Sequence, residues 1–374
     1  MIANTALSFD EDQAMIMDVA REFCREKSPM SAVRALLDSP SGYDRAIWGE
    51  MVDLGWLGIA LPEDIGGSGL GISHTVAIVE AMGRFMLAGP FISTTLAAQL
   101  VARATPATRV DAFLADVVAG VPATVALQES PDWGSDDCAC LFDDEGVMSG
   151  TKRFVPDAEV AGWIVVVTRH RGAPALALVK AEQLPAGAIK PHTLVDETRR
   201  AASIDFTGVQ LAPEAIIAGE QVVVALCDFY LLGALLVAAE ATGSAGACLD
   251  TTVEYLKTRK QFGKLIGSYQ ALKHPCVEIL TAVDSARSFI YHAASLVTEG
   301  SLTRDAEIAC RMAKAQASDT LLHAGDRAVQ FHGGMGFTYE CDAQLYIRRA
   351  QWSQQQFGDA AHHRKRLACL LLDE

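Results

Sequence analysis

Two stretches of this 374-residue chain hold residue types that could grip a ligand. The first runs Gln330-Phe331-His332-Gly333-Gly334-Met335-Gly336-Phe337-Thr338. Its glycines follow an apolar helical pattern, where they either let another group come close to bare backbone or simply cap the helix. The second is Arg259-Lys260-Gln261-Phe262-Gly263, with Gln270 beyond it. Arg259 could instead pair with Glu254 about one turn earlier. Glu240 follows the apolar run Leu235–Ala239. A carboxylate there should be paired or have a raised pKa, so it is a candidate base as well as a candidate structural ion. Asp359 stands where it would cap a last helix. His332 reads as a packing residue, and His362-His363 as solvent-facing helix positions. No metal site is expected, because the nine cysteines show no ligand spacing.

The elements that must carry these residues fall into three textures. Amphipathic helical patterns cover residues 8–28, where Ser8 and Glu11 would form a capping box, and then 30–39, 44–55, 71–86 and 91–104. Gly66, Gly67 and Gly69 interrupt them as a loop. From about Val121 the runs become short and β-branched, as in Thr124–Leu127, Trp163–Val167, Leu176–Val179 and Ser203–Phe206. Long helices return over Leu226–Leu256, Leu272–Thr298 and Arg304–Phe331, with a short one after Asp359. The stripe Leu272, Cys276, Ile279, Val283, Ala286, Ile290 and Val297 reads as core. The expected division is 1–120 helical, 121–218 an antiparallel β-barrel-like domain, and 219–374 a four-helix bundle, an α+β fold.

Composition excludes several functions. Net charge is −15 at a pI near 5.0, which disfavours nucleic acid and anionic membrane surfaces. No uninterrupted apolar run reaches the ~20 residues needed to span a bilayer. Half the residues are hydrophobic, which implies a large core or an oligomer interface. An odd number of cysteines without a recognisable leader suggests reduced thiols in a cytoplasm.

The arginine-phenylalanine-glycine and glutamine–glycine-glycine segments, in this order and spacing, resemble the acyl-CoA dehydrogenase family. Leu54-Gly55-Trp56-Leu57-Gly58, Leu61-Pro62-Glu63, Gly66-Gly67-Ser68-Gly69 and the glycine-lysine hairpin Ser149-Gly150-Thr151-Lys152-Arg153-Phe154-Val155 extend the likeness over nearly the whole chain. The resemblance implies α,β-dehydrogenation of an acyl-CoA thioester with FAD lying across two subunits, and a bundle that forms the oligomer interface. It implies that Arg259 meets the pyrophosphate, a contact that suits a bidentate guanidinium. Gln261, Phe262 and Gln270 would be nucleotide neighbours, and Gln330, Phe331, His332, Gly333 and Gly334 the strip beneath the adenosine.

Three departures matter. The flavin-side segment, usually Thr-Glu-Pro and then Gly-Ser-Asp, reads Gln128-Glu129-Ser130-Pro131-Asp132-Trp133-Gly134-Ser135-Asp136. The usual base position holds Phe357, within Gln356-Phe357-Gly358-Asp359. The alternative base position, 26 residues before Arg259, is Gly233, and the CoA-side arginine beside it is Ala234. The chain is similar to the smaller, base-lacking subunit of α2β2 heterotetrameric members acting on bulky or steroid acyl-CoA. That likeness rests on Phe357-Gly358-Asp359 and His363-Arg364. It implies no catalytic residue in this chain, a homologous partner carrying the base, and electron-transfer flavoprotein as acceptor. Left open are a self-sufficient homotetramer using Glu240 or Asp359, a flavin-free scaffold subunit, and a flavin monooxygenase on the same fold.

Overall fold

The computed structural model describes residues 11–105, 111–130, 138–143, 145–297 and 300–372. Six helices come first: α1 Glu11–Lys27, α2 Met30–Ala35, α3 Arg45–Asp53, α4 Ile72–Arg84, α5 Phe91–Ala104 and α6 Asp111–Val118. Asp44 caps α3 by accepting from the amides of Ala46 and Ile47. The capping box expected at Ser8 lies outside the described residues.

Nine strands follow: β1 Ala123–Ala126, β2 Leu141–Phe142, β3 Met148–Ser149, β4 Thr151–Pro156, β5 Trp163–His170, β6 Ala173–Lys180, β7 Ile189–Pro191, β8 Ala201–Asp205 and β9 Ile216–Ala218. They form sheets ordered β1-β5-β6-β9 and β4-β8-β7, with β2 pairing β3. Two details differ from the sequence reading. The β1–β5 pair is parallel, whereas the other pairs are antiparallel. The stretch around Gly150 is not a hairpin, because β3 and β4 belong to different sheets and Gly150, at φ +114°, turns the corner between them.

The remaining helices are α7 Glu220–Thr258, α8 Gln270–Leu296, α9 Arg304–His332, α10 Ala343–Gln355 and α11 Ala360–Leu372. A small hairpin, β10 Lys260–Gln261 and β11 Lys264–Leu265, links α7 to α8. Helix α9 packs on α7, α8, α10 and α11. Along α8 the predicted stripe is buried at Ile279, Val283, Ala286 and Ile290. Helix α7 is long and apolar enough to cross a bilayer, yet 72% of its most apolar window is buried inside the protein. Its apolarity is accounted for by packing on both sides. Gly83 of α4 lies so close to the Glu240 carbonyl that a Cβ there would overlap it, so the two helices cross backbone to backbone. One core runs through the N-terminal helices, the inner sheet and the bundle. A second lies within the β region. Arg200, just before β8, ties the β region to the start of the chain by donating to the carbonyls of Leu36, Leu37 and Ser39.

Candidate nucleotide cradle and cavity

The two ligand-gripping stretches meet at one end of the bundle. Tyr255, a turn before Arg259, stacks on His332 with ring centroids 4.2 Å apart. His332 is buried and its Nδ1 lies 2.7 Å from the Ala328 carbonyl, so it packs, as read from sequence. Glu254 accepts from Lys257 at 2.6 Å instead of from Arg259. Among the described residues Arg259 has no ion pair. Gln261, Gln270 and Gln330 are exposed, and Phe331 is half-buried. Phe262, at φ +55°, stands 89% exposed at the hairpin tip. A Cβ added at Gly333 or Gly334 would meet nothing within 4 Å, so the backbone there is open to an incoming group. An unpaired guanidinium, carboxamides, bare backbone and an exposed ring suit a phosphate-bearing nucleotide. The residues fit the pyrophosphate and adenosine of FAD.

The other end of α7 lines a cavity. Its walls include Leu127 and Gln128, Arg153 and Asp157 from the β region, Phe229 and Val237 of α7, and Trp352 with Phe357 after it. Gly233 and Arg259 are 26 residues apart along this helix, roughly 39 Å at ~1.5 Å rise per residue. Phe357 and Gly233 are in direct contact: a Cβ at Gly233 would lie 2.5 Å from Cζ and 2.6 Å from Cδ1 of the Phe357 ring. The ring also sits edge-on to Phe229, with centroids 5.6 Å apart. The two positions from which the resembled enzymes offer a base therefore converge on one point, and a phenyl ring fills it.

Neither alternative carboxylate reaches that point as a free base. Glu240 is 1% exposed and bridges Arg199 and Arg349, whose Nη1 is 3.3 Å away. Arg349 also bonds Asp196 and Thr198. Two carboxylates and two guanidiniums thus balance in the core, as expected for buried charges. Burial, with the nearby charge of Arg349, pushes the Arg199 pKa down to about 9. Burial alone would raise the Asp196 pKa, but Arg349 and Arg199 outweigh it and hold it below the usual range. Arg199 reaches the cavity, its guanidinium 4.9 Å over the Trp352 ring. Asp359 caps α11 by accepting from the His362 amide at 2.7 Å.

The turn carrying Phe357 is held from beneath. Lys314 of α9 is fully buried and donates to the carbonyls of Ser353 and Gly358 at 3.0 and 2.9 Å. Burial pushes its pKa down to about 7. His363 lies 3.0 Å from the Phe357 carbonyl, and burial followed by the Lys314 charge lowers its pKa to about 3. At 2% exposure His363 is a core residue, which corrects its reading as solvent-facing. The histidine pair at the start of a helix looked amphipathic, and nothing local showed that one ring turns inward.

Sequence reasoning also missed Asp157. It is the one carboxyl among the described residues lining the cavity, and burial pushes its pKa up. Ser93 donates to it at 2.6 Å. Glu129 is not free for a ligand: it takes the Lys152 ammonium at 2.5 Å and the Ala139 and Cys140 amides. Pro131 to Asp136, the rest of the flavin-side segment, lie outside the described residues.

Residues 10–121 match the model for the acyl-CoA dehydrogenase N-terminal domain, and residues 230–371 the model for the acyl-CoA dehydrogenase C-terminal domain. The chain belongs to the acyl-CoA dehydrogenase family. It is 29% identical over 347 residues to acyl-CoA dehydrogenase IpdE2 of Mycobacterium tuberculosis, covering 92% of each protein. Its fold superposes on a chain of the ChsE4-ChsE5 complex from Mycobacterium tuberculosis with TM-score 0.88, at 24% identity, over 99% of this chain and 100% of that one. A variant of the Tcur3481-Tcur3483 steroid ACAD gives TM-score 0.83 at 27% identity, over 96% and 98%. As a member of this family the chain is an FAD-dependent oxidoreductase.

Proposed function

We propose that this chain is the base-lacking subunit of an α2β2 acyl-CoA dehydrogenase that desaturates a bulky, steroid-type acyl-CoA thioester. It lends Arg259, Gln261, Phe262, Gln270 and the Gln330–Gly334 strip to FAD held by a homologous partner. The partner supplies the carboxylate and most of the CoA site, and electron-transfer flavoprotein takes the electrons. The acyl class rests on the likeness to the Tcur3481-Tcur3483 steroid ACAD. The free cysteines suit a reducing compartment such as the cytoplasm.

The observation that carries this reading is the phenyl ring of Phe357 seated on Gly233. A weakly acidic α-proton needs a nearby base, and neither position offers one. Meanwhile the cradle around Arg259 stays exposed, 26 residues along the chain from Gly233. When bound, FAD accepts the β-hydrogen as hydride. This chain's part is to hold the phosphates with Arg259 and to present uncovered backbone at Gly333 and Gly334.

Co-expression with a homologous subunit should give a complex carrying about one flavin per two chains, by absorbance and native mass. The lone chain should be colourless and inactive on acyl-CoA. Full flavin and turnover from the lone chain would overturn the proposal. A second reading, a self-sufficient homotetramer, draws support from Asp157, whose raised pKa and place in the cavity suit a base better than Glu240 or Asp359. Under that reading the Asp157→Asn chain loses turnover that the lone wild-type chain possesses.

A further inference from the structure

We propose that Phe357 is a plug as well as a lost base: its ring closes the place where the reacting acyl carbons would sit, so this chain's own cavity admits no thioester. This deepens the shared-site reading and rests on it. In the resembled enzymes a base on either segment must reach the same α-carbon, so the space between positions 233 and 357 is where that carbon lies. Here the ring fills that space to van der Waals contact with Gly233 and is backed by Phe229. Its backbone sits at φ +56°, a region that a bulky residue adopts only when its surroundings impose it. Those surroundings are visible. Lys314 grips the carbonyls on either side of the ring-bearing residue's turn, and the His363 imidazole lies against the Phe357 carbonyl. The ring is thus aimed by buried groups, and Gly233 supplies the flat helix face that receives it.

A double-substitution cycle tests this contact in the full-length chain. In a helix interior, replacing glycine by alanine ordinarily stabilises. With the ring in place Gly233→Ala should lower the urea midpoint. In the Phe357→Ala background the same change should raise it. A shift of the same sign in both backgrounds would overturn the plug. Ligand binding provides a second measurement that needs only the Phe357→Ala variant. The wild-type chain should bind butyryl-CoA no better than free CoA, whereas Phe357→Ala should prefer butyryl-CoA at least tenfold by calorimetry. Equal preference in the two proteins would overturn the proposal. If either result goes against the plug while the co-expressed complex still holds half its complement of flavin, only the plug is lost. A yellow, active lone chain would remove the shared-site reading itself.

Discussion

The two ends of α7 solve opposite problems. At its C-terminal end Arg259 stands without an ion pair among the described residues, Phe262 projects into solvent, and the glycines after α9 leave backbone uncovered. At the other end Glu240 and Asp196 are paired with Arg199 and Arg349, Phe357 is seated on Gly233, and the turn behind it is gripped by Lys314. Open polar groups at a helix end are hydrated at little cost and stay available to a ligand. Buried, paired charges behave differently: they engage one another instead of a ligand, and removing one partner is strongly destabilising. The difference gives a crossed expectation. Changes at the closed end should cost stability and spare the nucleotide, while changes at the open end should cost the nucleotide and spare stability.

The largest effect should come from Glu240→Ala. It removes the ion-pair partner of buried Arg199 and leaves Asp196 alone against two guanidiniums, a loss of about 3–5 kcal/mol in urea unfolding. In the co-expressed complex the flavin content of the protein that still folds should stay unchanged. A flavin loss without a stability loss would break the comparison. Arg259→Ala should do the opposite. Losing charge-assisted phosphate contacts costs about 1.5–3 kcal/mol of flavin affinity, roughly 10- to 100-fold, with the melting temperature of the apo chain unmoved. Retention of flavin by that variant would favour a scaffold subunit instead.

Lys314→Met should destabilise by about 1–3 kcal/mol, because two buried carbonyls lose their donor. Its pH dependence sharpens the point. Burial lowers the folded pKa to about 7, while the unfolded lysine keeps its proton to near 10.5. Between these values the unfolded state binds more protons, so stability rises with pH. The wild type should therefore gain on Lys314→Met by up to about 1.4 kcal/mol per pH unit across that window, with no gain below pH 7. The smallest effect should be Asp359→Ala, the loss of a helix cap worth about 0.5–2 kcal/mol, with no change in flavin binding by the complex.

What the sequence could and could not reveal follows from the range of the interactions. The helices at 44–55, 91–104 and 304–331 are written in local periodicity and caps, and they stand nearly where expected. Glu240 was legible as a paired ion because a carboxylate after an apolar run has few other options. Its partners Arg199 and Arg349 were not, since they come from the β region and from α10, far away in the chain. For the same reason the parallel β1–β5 pairing and the sheet corner at Gly150 were missed. Short helices α6 and α10 gave no strong period. Most instructive are Phe357 and Gly233. Read along the chain they are two separate absences of a carboxylate; in space they are one contact between residues 124 positions apart.

That contact also fixes an order of events in the lineage of such a chain. A side chain added at position 233 would collide with the ring, which would have to shift to admit it. The less costly route from this sequence back to an independent dehydrogenase therefore begins at residue 357. An ancestor that kept its carboxylate on α7 must have lost it before, or together with, the arrival of phenylalanine.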